Sequence, residues 1–401
     1  MSVVKLDAKL FADFRSLKTD RRLFRDIDAS ASSEKQVVYI GVDQGVLASD
    51  KKQLQAMLTD LKALQAASKA EQSLVRVYTS LYETTLASIG LLEFGYTTTT
   101  KLDKEAFNAH NVNRFGPLDA ALWVDAMSFL AGNTEVGKSV LKKYGLEYSN
   151  KLHELSIEDS KLTSAANALG LKQLYVDLQQ LDTMEDVNKL VSGLHKGWSA
   201  SVSDMQGHTS IRYRQKQVVL AKNFYTYEQR KQIRILLHEI GVHLTKWSNS
   251  QGSLKVVSYG MPGYSRLEEG LASMLASRMT GSYRIKGTIY YAAIGFALGL
   301  DGRERNFDEV RKELYELLRV RHTESYSAKM SAQICRRIYR GVDVNTRGCV
   351  FIKDKLYLEG AVDVARVFNN STETEVAKIA KYRYNPTDGS QRAIIDYIIN
   401  K

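Results

Sequence analysis

YEQRKQIRILLHEIGVHLTKW, residues 227–247, decides how this chain is read. Ile233, Leu236, Leu237, Ile240 and Leu244 recur at helical spacing, so one apolar stripe runs along a helix from about Tyr227 to Trp247. In its middle stands His238-Glu239-Ile240-Gly241-Val242-His243. An HExxH pair at i, i+4 shares one face of an α-helix, about 40° apart at 100° per residue. Here the histidines are five apart, which at that pitch separates them by about 140°. A regular helix would aim the two imidazoles away from each other. One wide π-type turn restores a common face, and such turns gather at functional sites. Gly241 eases the distortion, so a π-bulge is predicted here.

The chemistry suggested is metal binding. A catalytic zinc site needs two neutral imidazoles, a third and anionic ligand, and an open position. A carboxylate beside that position can take a proton from water. Glu239 follows His238 directly and is placed for this without ligating. The third ligand is expected from a neighbouring helix, about Ser265 to Met279, which offers Glu268 and Glu269. Glu269 shares its face with Gly270, Ser273, Ala276 and Ser277, small residues that allow a close helix approach. Glu268 lies nearer the apolar stripe of Leu267, Leu271 and Leu275. Periodicity does not choose between the two. His110, His153, His195, His208 and His322 have no partner at ligand spacing and are read as ordinary surface or core residues.

Outward from this centre, the Gly- and Ser-rich stretch 248–263 reads as a loop. Trp198–Asp204 and Gln215–Ala221 are strand-like, and Gln36–Val42 (QVVYIGV) is a further candidate strand. Residues 53–93 and 118–195 are helical by pattern, separated by the turn signal Asn111–Pro117. Leu6–Leu17 suits a short helix, and Asn306 with Glu309 resembles a capping box. The expected architecture is predominantly helical α+β with a small mixed sheet. The expected divisions are an N-terminal extension (1–35), which can be flexible, a mostly helical N-terminal subdomain (36–197) and a catalytic core (198–401).

Composition bounds the rest. Hydrophobic residues make up 44% and charged residues 25% of 401, an ordinary globular balance. The longest apolar run, roughly Ile289 to Leu300, is shorter than the ~20 residues that cross a bilayer, and suits a close-packed core helix instead. The N-terminus has no signal-peptide core. Cys335 and Cys349 form no CxxC pair, which fits a reducing, cytoplasmic setting. Residues 1–200 carry 24 Lys and Arg against 25 Asp and Glu, whereas residues 201–401 carry 32 against 20. The basic surplus therefore lies with the candidate site and favours anionic partners, such as acidic peptides or terminal carboxylates. No recognised nucleic-acid-binding motif accompanies it.

HEIGVH followed by Glu268-Glu269-Gly270-Leu271-Ala272 resembles the microtubule-associated tyrosine carboxypeptidase family, whose bacterial relatives are the flavohemoglobin expression-modulating QEGLA-motif proteins. Further segments match in order: Gly263-Tyr264, Arg337-Ile338-Tyr339-Arg340-Gly341, Phe351-Ile352-Lys353-Asp354, and Tyr357-Leu358 with Gly360. Asn113–Pro117 is a looser match. The resemblance spans roughly residues 70–370 and is strongest from 230 to 360. It implies a zincin-like, gluzincin-type core and one Zn2+ per chain held by His238, His243 and Glu269. Val242 departs from the family's usual Thr, and Thr245-Lys246 from its Leu-Arg. These changes spare the ligands but touch substrate preference.

The expected activity is a zinc-dependent metallopeptidase, foremost a carboxypeptidase removing a C-terminal residue, aromatic by analogy with the family, from a peptide or protein. Glu239 is the expected general base for a metal-activated water. Arg337, Arg340 and Lys353 are candidates for the substrate's terminal carboxylate, since a guanidinium grips a carboxylate with two bonds. Tyr357 is the candidate hydroxyl for the oxyanion. A structural salt bridge from Asp354 to Arg340 is the plainer alternative for that group. An endopeptidase with the same site and a non-catalytic metal-binding regulator are the competing functional readings.

Overall fold

A nearly unbroken helical rod runs from Gln229 to Asn249 in the structure, a computed structural model that describes residues 2–19, 23–203, 209–281 and 285–400. His208 lies outside these residues, as does Asp204 at the end of an expected strand. The described residues are predominantly helical with one small mixed sheet, as expected of an α+β protein. It divides into two compact units, Met1–Leu155 with Gly287–Leu358, and Ser156–Lys286 with Glu359–Lys401. The expected limits at 35 and 197 do not coincide with these divisions.

In the first unit, the helix Val3–Arg15 lies against the helix Lys69–Phe94. Leu6, Leu10 and Phe14 are buried, and the Phe14 ring stacks on Tyr82 at 5.9 Å. The Tyr78 hydroxyl donates to Asp7 Oδ1 (2.8 Å) and that of Tyr82 to the Leu10 carbonyl (2.9 Å), so the N-terminal helix is docked by polar as well as apolar contacts. The apolar helix Thr288–Leu298 packs on Ala120–Ala131. A Cβ at Gly295 would fall 2.1 Å from the Trp123 indole, whose Nε1 donates to the Ala292 carbonyl (3.2 Å). This is the close-packed core helix that its Gly and Ala content suggested, and no helix among the described residues is long and apolar enough to cross a membrane. The predicted capping box of Asn306 and Glu309 opens the helix Phe307–Arg319.

Gln36–Val42 is not a strand. Tyr39 makes only single bridges, to Ile27 and Thr97. The Val38 N–H goes to Ser32 Oγ (3.1 Å) and that of Gly41 to Thr98 Oγ1 (3.1 Å). Hydroxyls thus take the donors that a ladder would need.

The second unit contains the sheet: β1 (Ser199–Val202), β2 (Ser210–Arg212) and β3 (Gln217–Leu220), in the order β1-β3-β2. β3 pairs parallel with β1 (Ser199 opposite Gln217) and antiparallel with β2 (Ile211 opposite Val218). Val218, Val219 and Leu220 are buried, as a central strand requires. β1 and β3 fall within the expected strands, whereas the three residues of β2 are too short to show a period. The loop 248–263 holds one short helix, Lys255–Tyr259, which Gly260 ends at φ 107°. A Cβ there would meet the Tyr264 ring at 2.4 Å, so glycine is needed twice over. The helix Tyr264–Met279 follows.

Candidate metal centre

Between Leu237 and Leu244 the rod is π-helical, and it returns to α geometry at Thr245. Hydrogen bonds there close from i to i+5, so residues five apart come round to a shared face. The predicted wide turn is present at the residues where the histidine spacing required it. Gly241 serves packing as much as flexibility. A Cβ on it would lie 2.6 Å from Leu171 Cδ2 and 3.1 Å from Leu174 Cδ2, on the helix Leu171–Leu178 that packs against the π turn.

The turn brings His238 Nε2 and His243 Nε2 to 3.2 Å. Glu269 Oε2 lies 3.4 Å from His238 Nε2 and 3.7 Å from His243 Nε2. Ligand bonds of roughly 2.0–2.1 Å in a tetrahedral site put donor atoms about 3.3 Å apart. The observed triangle therefore suits one small cation. His238, His243 and Glu269 form a group able to hold a metal ion, each offering one donor atom. Glu269 Oε2 and His238 Nδ1 are buried and lack any hydrogen-bond partner, which leaves the carboxylate oxygen available as a ligand. Two imidazole nitrogens and a carboxylate oxygen are donors that zinc accepts.

Glu268 has a different part. It is buried, and its Oε1 sits 2.8 Å from His243 Nδ1, behind the imidazole rather than at the cation position. A carboxylate there favours the tautomer with hydrogen on Nδ1 and the Nε2 lone pair facing Glu269. Gly270 also serves a second approach. A Cβ on it would strike the Gly360 carbonyl at 2.2 Å, so the glycine admits the helix Leu356–Asn369, while the helix that carries it packs on the π turn.

Burial and charge set the protonation of the group. Burial is the main force pushing Glu239 up to about 7, and it drives His238 down to about 4 with help from Lys286. For His243, burial acts downward but is outweighed by Glu269 and Glu268, which raise it to about 10. Burial likewise opposes ionisation of Glu269, yet His243 and His238 hold it well below the ordinary range. The cluster thus attracts positive charge to the point where three donors meet.

The other sequence candidates lie in the first unit, around Asp354. Arg337 donates from Nε to Asp354 Oδ2 and from Nη2 to Oδ1, both at 2.9 Å. Arg340 Nη2 donates to the same Oδ2 at 2.9 Å. Arg337 also donates to the Tyr357 hydroxyl (3.2 Å) and lies over the Tyr290 ring (4.9 Å). Lys353 stands in the short 3-10 turn Ile352–Lys355. The Arg340–Asp354 salt bridge foreseen as the plain alternative is present, and Arg337 joins it. Burial would raise the Asp354 carboxyl, but Arg340 and Arg337 overcome it and hold it below the ordinary value. Asp354→Ala should therefore cost about 3 kcal/mol, the low end for breaking a buried ion pair, because about a fifth of each arginine side chain is exposed. A urea midpoint lowered at constant m value would show it. A depressed carboxylate stabilises fully above about pH 4 and loses that contribution as pH falls further, so wild type and variant should converge in acid.

Sequence reasoning did not foresee Arg383, Lys246 or Tyr213 behind the glutamates. No spacing rule ties residue 383 to residue 268, and only the folded chain brings them together.

No curated protein and no solved structure shows a significant match to the chain. A family model does match, over residues 204–381, less than half of the 401. Its description is microtubule-associated tyrosine carboxypeptidase, a family of peptidase-type enzymes, and it covers both histidines and both glutamates. The likeness read from HEIGVH and EEGLA thus extends across the segment that holds the candidate metal centre, and residues 204–381 of this chain match the model of the microtubule-associated tyrosine carboxypeptidase family.

Proposed function

We propose that the chain is a zinc-dependent carboxypeptidase with a gluzincin-type core, holding one zinc ion through His238, His243 and Glu269. The single observation that carries this reading is the triangle of donor atoms with edges of 3.2, 3.4 and 3.7 Å, built on a π turn and a neighbouring helix. Zinc so held would polarise a peptide carbonyl and acidify water. Glu239, next to His238, takes the proton from the attacking water and returns it to the leaving amine. Its raised carboxyl suits both roles near neutral pH. Attack is direct, with no covalent enzyme intermediate.

The proposed substrate is the C-terminus of a peptide or protein, with an acidic one favoured by the basic surplus of residues 201–401. Arg337, Arg340 and Lys353 are the proposed cations for its carboxylate. Two guanidinium groups on the one Asp354 carboxylate leave net positive charge there. Tyr357, already accepting from Arg337, is the proposed oxyanion donor. A cytoplasmic setting agrees with two cysteines that are unpaired and buried.

Paired peptides with free and amidated C-termini test the reading. The zinc-loaded enzyme should release single C-terminal residues from the free form only. Activity should vanish with chelator and return with zinc. Cleavage of the amidated peptides would make it an endopeptidase. Inertness of the one-zinc protein toward both would leave a metal-binding regulator.

A further inference from the structure

Behind His243 the structure continues the chain of charges. Glu268 touches the imidazole with Oε1, and its Oε2 faces Arg383 Nε at 3.5 Å, an ionic contact longer than a hydrogen bond. Arg383 is only 4% exposed. Its guanidinium lies over the rings of Tyr264 (4.4 Å) and Tyr213 (5.0 Å). It also donates to the Tyr264 hydroxyl and to the Tyr259 carbonyl (3.3 Å). The Arg383 carbonyl accepts from the Met261 N–H at 3.0 Å, which pins the backbone to the start of the glutamate helix. Lys246, on the histidine rod and 1% exposed, donates to the Ile379 carbonyl (2.9 Å) and adds a second positive charge near Glu268.

We infer that Arg383 is a positioning residue of the metal centre: through Glu268 it fixes His243 with hydrogen on Nδ1 and its Nε2 lone pair toward Glu269. This rests on the metallopeptidase reading and adds a residue just beyond the segment matched by the family model, which ends at 381. A carboxylate behind a ligating imidazole holds the ring and raises its basicity. That carboxylate is buried, so it keeps its place and charge only with a cation of its own. A guanidinium clamped by two rings and two acceptors is rigid enough to supply it. Arg383 is not one of the three donors at the cation position, so its effect there must pass through Glu268.

The test is zinc affinity, measured by chelator competition, with the visible spectrum of the cobalt-substituted protein as a second readout. Wild type, Glu268→Gln, Arg383→Met and the double variant are compared. Each single change should weaken zinc binding about 10–100-fold and shift the cobalt bands. The double variant should bind no more weakly than Glu268→Gln alone, since the two residues act in series. It also removes both buried charges, so it should fold if Arg383→Met alone does not. Wild-type affinity and an unchanged cobalt spectrum in Arg383→Met would overturn the inference. So would a further tenfold loss on adding Arg383→Met to Glu268→Gln. A wild type that takes up no zinc would instead overturn the metal reading, and the role of Arg383 with it.

Discussion

Glu239→Gln should slow peptide cleavage steeply and leave the zinc content unchanged. Glutamine keeps the size and hydrogen-bonding edge of the side chain but cannot accept the proton of the attacking water. General acid–base catalysis of this kind contributes about 10²–10⁴-fold to a rate, and kcat should fall by that much with KM little altered. The side chain is not one of the three donors that meet at the cation position, so metal should stay. Single-turnover rates beside elemental analysis check both halves. Retained cleavage would show that another group moves the proton. Loss of metal would show that Glu239 is a ligand.

Glu269→Ala should have the largest effect on the metal itself. It removes the one anionic donor of the triangle, leaving two imidazoles 3.2 Å apart with no carboxylate to draw a cation to them. The loss of zinc affinity should exceed the roughly 10–100-fold that removing an outer-shell partner costs, and so exceed the effect of Glu268→Gln. Competition with a chelator of known affinity ranks the two variants. If Glu268→Gln proved the more damaging, the assignment of ligand and outer partner would be reversed.

Much of this site was legible because helical geometry ties spacing to direction. Histidines five apart on a strongly amphipathic stretch could share a cation only across a π turn, and the turn lies at Leu237–Leu244. The choice between Glu268 and Glu269 was not legible from periodicity, because both face inward. One meets the cation position and the other the back of His243. Gly270 shows a related limit: a small residue announces a close approach but not that a further helix, Leu356–Asn369, also makes one. QVVYIGV has strand composition, yet the N–H groups of Val38 and Gly41 are taken by the hydroxyls of Ser32 and Thr98, which no local pattern reveals. Arg383 had no sequence signal, being charged, distant and brought to Glu268 only by the fold. The Arg340–Asp354 pair was visible as a possibility, since two arginines near one acidic residue commonly pair in a fold.

The most direct test of the central claim is metal content by elemental analysis of protein purified without chelator, for wild type and His238→Ala. The account predicts about one zinc per wild-type chain, or uptake of one on adding zinc, and loss of that zinc in His238→Ala. A wild-type chain that neither carries nor takes up zinc would contradict it, and the triangle of His238, His243 and Glu269 would then be a polar contact within the core.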